Sequence, residues 1–125
     1  QPVSQLVVFN SSERSEIALF AHDKRYFMKI PENGFLPHPQ KRVLRLSDNA
    51  IAAYEAEKPF QVDVLVLSLA ASFQVEQLLT LFNPAVIVLD SSLPRRSAIR
   101  MRSECSRLGI EVHDVTQNGA YSVNF

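Results

Sequence analysis

The chain reads as an α/β fold: two β-sheets packed face to face, with helices on one outer side. Three observations predict this. Residues 61–125 alternate apolar strand-like runs with helix-patterned segments, as βαβ units do. Residues 1–60 hold short β-branched and aromatic runs divided by turn residues. Two right-handed βαβ crossovers place both helices on one face of a sheet, so the other face needs cover, and the four N-terminal strands are the material for it. At 125 residues the chain is a single domain by length. It spans 1–125, with a mainly β layer at 1–60 and a βαβαβ unit plus hairpin at 61–125.

The elements follow in order. Gln5–Asn10, Glu16–Ala21 and Arg25–Ile30 are apolar runs with strand character, and His22-Asp23-Lys24 reads as a turn between the last two. Pro31–Gln40 holds three prolines and reads as a loop, because proline removes a ladder donor and restricts the residue before it. Arg42–Leu46 alternates charged and apolar positions, as an edge or half-buried strand does. Ser47–Glu57 carries helix formers behind a Ser/Asp/Asn cluster and is either a short helix or a mobile loop.

The second half is more strongly patterned. Val62–Leu67 and Ala85–Leu89 are continuous apolar runs, the mark of strands covered on both faces. Between them Val75, Leu78, Leu79 and Phe82 recur at helical spacing, with Ser72 as a cap and Asn83-Pro84 as the stop. A second helix runs from about Pro94 to Leu108, with Gly109 just past its end. Its core stripe is Ala98, Met101, Cys105 and Leu108, which makes Cys105 a small buried hydrophobe. Ile110–Val115 and Ala120–Val123 flank Gln117-Asn118-Gly119, and Asn-Gly predicts a hairpin.

Composition excludes little and implies little. Apolar and charged fractions are 46% and 21%, ordinary for a globular protein. Net charge is zero, so no bulk electrostatic argument favours nucleic acid or membrane. One cysteine excludes an internal disulfide framework. The chain opens at Gln1 without a methionine or leader, and is expected to be an excised or processed piece of a longer protein.

Candidate chemistry is sparse. His22, His38 and His113 lie far apart, without the close pairing that a metal site uses, so no bound metal is expected. Ser68, Ser72, Ser91, Ser92 and Asp90 fall at strand C-terminal ends, where open α/β sheets place ligands. An Asp/Ser cluster there can serve a hydrolase or simply cap helices, and no Gly-x-Ser-x-Gly elbow is present. The second helix sets Arg95, Arg96, Arg100, Arg102 and Arg107 against Glu104 alone, net +4, and the rest of the chain carries −4. Arg96, Arg100 and Arg107 share one exposed line. That line is either a DNA-backbone contact or a solvated face paired with acidic neighbours.

In this order the elements resemble the C-terminal metallo-β-lactamase-like domain of ComEC-type competence proteins, bacterial membrane proteins that pass transforming DNA across the inner membrane. Asp63-Val64-Leu65, Ser72, Pro84 before Ala85–Asp90, Leu108-Gly109, and Thr116 with Gly119-Ala120 stand where that family has its ordered motifs. Asn10-Ser11-Ser12-Glu13-Arg14-Ser15 before Ile17–Phe20 is similar to its first hairpin. The chain departs from the family where the metal chemistry lies. The family's His-His-Gly is Leu69-Ala70-Ala71, the histidine of its Gly-His-Pro falls near Arg96, and its His-x-His-x-Asp-His motif has no counterpart.

The resemblance therefore implies a reduced metallo-β-lactamase-like sandwich of two mixed sheets with helices on one outer face. It implies no metal, no cofactor and no enzymatic activity. The parent protein is expected in the bacterial inner membrane, with this piece soluble. The expected role is contact with DNA or with a channel partner beside the membrane-embedded remainder of the parent. DNA contact would fall to Arg95, Arg96, Arg100 and Arg107, and a vestigial site to Ser68, Ser72, Asp90 and Ser91. The alternatives are a degenerate metal-dependent hydrolase or nuclease, and a purely structural domain.

Overall fold

The computed structural model describes residues 3–11, 15, 17–21, 24–26, 33–35 and 41–124. Its strands are β1 (Val3–Val8), β2 (Ile17–Ala21), β3 (Lys24–Tyr26), β4 (Gly34–Phe35), β5 (Val43–Leu46), β6 (Phe60–Leu67), β7 (Phe82–Leu89), β8 (Val112–Asp114) and β9 (Tyr121–Asn124). Its helices are α1 (Val75–Leu81), α2 (Arg95–Leu108) and the single turn α3 (Val115–Asn118), and a short 3-10 turn covers Ala50–Ala53. Two sheets form, in the orders β3-β2-β1-β9 and β4-β5-β6-β7-β8. The first is antiparallel throughout. The second is mixed: β5 to β8 run parallel and β4 is antiparallel to β5.

The predicted α/β sandwich is present, and three expectations about it are corrected. Arg42–Leu46 is not an edge strand of the N-terminal layer. All of Val43–Leu46 is buried, inside the five-stranded sheet between β4 and β6. The hairpin around Asn118-Gly119 does not form. β8 pairs with β7 and β9 with β1, so the chain crosses from one sheet to the other. The crossing is the turn α3, whose Thr116 N–H is bound by the Asp114 carboxylate, and Gly119 leaves it at φ 84°. The Ser47–Glu57 helix shrinks to the 3-10 turn. His22-Asp23, residues 27–30 and most of the proline loop lie outside the described residues.

Each face of the five-stranded sheet has its own core. Leu44, Leu46, Leu65, Leu67, Ile87 and Leu89 meet Val75, Leu78, Ala98, Met101 and Cys105 of the two helices. Val43, Val64, Val66, Val86 and Val88 meet Leu6, Val8 and Ile17 of the other sheet. This alternation is the period of two of a strand. It slips near the start of both long strands: Val62 and Phe82 face the helices, Val64 and Val86 the other sheet. In β6 the N–H groups of Asp63 and Val64 both reach the Arg42 carbonyl, and the Arg42 N–H is held by the Asp63 carboxylate.

The helix α2 ends as expected, with Gly109 in the left-handed region at φ 74°. Cys105 is fully buried. Burial first, and the Glu104 charge second, push its thiol up to about 11.

Candidate functional site

The parallel register of β5, β6 and β7 brings three chain positions to one end of the sheet. Leu46 lies beside Leu67, and Leu67 beside Leu89, so Ser47, Ser68 and Asp90 follow in line. Facing is then set by alternation. Arg45 shares a side with Val43, Ser68 with Val66, and Asp90 with Val88, and those valines point at the first sheet. Arg45, Ser68 and Asp90 therefore converge between the sheets. All three are buried, at 7%, 0% and 1% exposure. Ser15 meets them from the segment before β2.

The Asp90 carboxylate accepts four hydrogen bonds. Oδ2 takes the hydroxyls of Ser15 at 2.5 Å and Ser68 at 2.6 Å. Oδ1 takes the backbone N–H of Ser92 at 2.9 Å and its hydroxyl at 2.5 Å. The Arg45 guanidinium lies on the far side of the two serines. Its Nη2 donates to Ser15 Oγ at 2.6 Å and its Nε to Ser68 Oγ at 3.2 Å. Beyond the cluster, Ser92 Oγ accepts from the Leu69 N–H at 2.8 Å, which holds Leu69 at φ 54°. Ser91 Oγ accepts from the Ser11 N–H at 2.9 Å. Among the described residues no buried side-chain nitrogen or oxygen lacks a partner.

This donor set does not fit a divalent cation. A metal needs free lone pairs converging from several ligands, and here the carboxylate's oxygens are already engaged by O–H and N–H groups. A cation beside the two serine hydroxyls would also meet a guanidinium. Among the described residues no group of three or more His, Cys, Asp or Glu could hold a metal. His113 is elsewhere, with Nε2 2.8 Å from the Gly119 carbonyl and its ring against Tyr121.

Of the five strand-end residues read from the sequence, Ser68, Asp90 and Ser92 come together, Ser91 turns to the Ser11 N–H, and Ser72 lies apart. Ser72 lies on the helix side, where its hydroxyl accepts from Arg100 Nη2 at 3.1 Å and sits 3.3 Å from Ser97 Oγ. Nor does it cap α1, which begins only at Val75. The Val75 N–H is satisfied by Glu104 of α2, at 2.8 Å. Sequence reasoning missed Arg45, Ser15 and Glu104. Arg45 could have been found by aligning the ends of the three parallel strands, since it then faces the same way as Asp90.

The arginines of α2 are largely paired. Arg95 grips both oxygens of the buried Asp114 at 3.2 and 3.3 Å, and Arg102 reaches the same carboxylate at 3.5 Å. Arg100 pairs with Glu104 at 2.7 Å, one turn on, and Arg107 with Glu76 of α1 at 2.8 Å. Burial raises the Glu104 pKa, but the Val75 N–H, Arg100 and Arg107 outweigh it and hold the carboxyl below its ordinary value. Arg96 is exposed and has no ion pair among the described residues. Of the predicted exposed line, then, Arg96 alone is uncommitted. The helix pair carries five arginines against Glu76 and Glu104, and the buried Asp114 at the end of β8 offsets one more, net +2.

Among the described residues no helix is long and apolar enough to cross a membrane. The model of the ComEC C-terminal domain family matches residues 4–125. No curated protein and no solved structure matches the chain.

Proposed function

The chain belongs to the ComEC C-terminal domain family, that of competence proteins of DNA uptake, and on that premise we propose that it is a non-catalytic domain touching incoming DNA through the outer face of α2. The observation that carries the non-catalytic reading is the Asp90 carboxylate with its four donors. A general base needs an open lone pair within reach of a substrate proton, and a nucleophilic serine needs a base free to take its proton. Ser68 and Ser15 instead donate hydrogen bonds to a carboxylate whose two oxygens are both engaged and accept from Arg45, and Ser68 has no exposure.

The reading of DNA contact rests on Arg96 and on the residual net +2 of the helix surface. Phosphate contacts of this kind give weak, sequence-independent and salt-sensitive binding. The paired state of Arg100 and Arg107 favours a second reading: the same face docks a channel partner, and its ion pairs brace α2 internally and against α1.

A fluorescence-anisotropy titration with labelled single- and double-stranded DNA separates them. DNA contact gives binding at low salt that fades as salt rises and weakens in R96A/R100A/R107A. Flat curves at low salt would set DNA contact aside in favour of docking. The same DNA incubated with Mg2+ or Mn2+ should stay intact. Metal-dependent cleavage abolished by D90A would replace the whole reading with a hydrolase.

A further inference from the structure

We propose that the strand-end cluster is a guanidinium site, filled from within the chain by Arg45. An arginine is rarely this buried without matched acceptors. Here the Nε–Nη2 edge of a planar fork faces two hydroxyl oxygens, Ser15 Oγ and Ser68 Oγ, which lie 3.2 Å apart. Asp90 orients those oxygens. By accepting a hydrogen bond from each hydroxyl it turns their remaining lone pairs toward the guanidinium. Chains of this kind strengthen one another in a low dielectric.

The ligand class follows from the shape. Two acceptors side by side match a flat cation with two parallel N–H groups. A compact ammonium would engage them with poorer geometry, and a divalent metal would need the carboxylate that the hydroxyls and Ser92 have taken. The site also seals the sandwich at the end where ligands of open α/β sheets usually enter. It joins the segment before β2 to the ends of β5, β6 and β7, positions 22 to 75 residues apart in sequence. The inference rests on the non-catalytic reading, and the tests below keep the two apart.

The first test uses the unaltered chain. In nitrogen-15 NMR spectra the Arg45 Nε–H should exchange with water more slowly than that of the exposed Arg96. Equal exchange would overturn the proposal whatever the outcome of any cleavage assay. Cleavage of DNA alongside a protected Arg45 would sink the non-catalytic reading alone. The second test uses R45A. Its Tm should fall on the order of 10 °C, because an uncompensated buried carboxylate remains. Low-millimolar methylguanidinium should restore part of that loss, while equal NaCl or MgCl2 should not, and R45A/D90N should show no recovery. If R45A does not fold, R45K decides: a guanidinium site predicts a lower Tm than wild type despite the retained charge. An R45K chain as stable as wild type, or stoichiometric binding of Zn2+ or Mn2+ to the wild type by calorimetry, would overturn the assignment.

Discussion

Arg45 and Arg107 show two fates for one residue type. Arg45 is almost wholly buried, and its head is met by hydroxyls of Ser15 and Ser68 that are oriented by Asp90. Arg107 reaches across to Glu76 on the outer surface, where both side chains are more than half exposed. Water screens the second pair and is excluded from the first. Charge that holds the fold thus lies between the sheets, and charge that can meet another molecule lies on α2. Between these limits stands Asp114, a buried carboxylate holding the half-exposed Arg95 and Arg102.

The comparison is broken most severely by D90A, which leaves the Arg45 charge buried with its serine partners unoriented. It should cost about 3–5 kcal/mol, read as a lower midpoint in urea denaturation. A loss no larger than that of an exposed pair would erase the distinction. D114A comes next, at about 2 kcal/mol, since it frees two arginines into solvent but also removes the cap on Thr116 N. Circular dichroism melting should show the loss, and the β8–β9 crossing should gain amide exchange.

E104Q tests the middle ground through pH. The folded-state pKa of Glu104 is lowered, so its contribution to stability is present above the unfolded-state value near 4.5 and is lost as pH falls through the folded value. Wild type should therefore lose more stability than E104Q as pH drops below about 4.5. Parallel curves for the two proteins would show that Glu104 is not held in its charged form. The smallest effect is expected for R107A, within about 0.5 kcal/mol and smaller still at high salt, by the same urea assay.

The difference between the two regions also explains what was legible in the sequence. The strands β6 and β7 are apolar on both faces, and α2 closes with Gly109, so local pattern sufficed for them. β5 was misjudged because Arg42 and Arg45 look like the solvent side of an edge strand. Arg42 is indeed exposed, but the burial of Arg45 depends on acceptors far away in sequence: Ser15 lies 30 residues before it and Ser68 23 after it. The Asn118-Gly119 pair misled for a related reason. The Asp114 carboxylate, immediately before α3, caps the helical turn into which the chain winds, and β9 goes to the other sheet. The strand-end serines and Asp90 were found, but Ser72 was grouped with them although it faces the helices.

The central claim is that Arg96 meets DNA while its paired neighbours brace α2 and tie it to α1 and to the end of β8. The most direct test is the salt dependence of DNA binding by R96A and R107A. The account predicts that R96A lowers the slope of log K against log salt by about one, while R107A, whose charge already has Glu76 beside it, lowers it much less. Equal slopes for R96A and wild type, or no binding of the wild type at low salt, would contradict it.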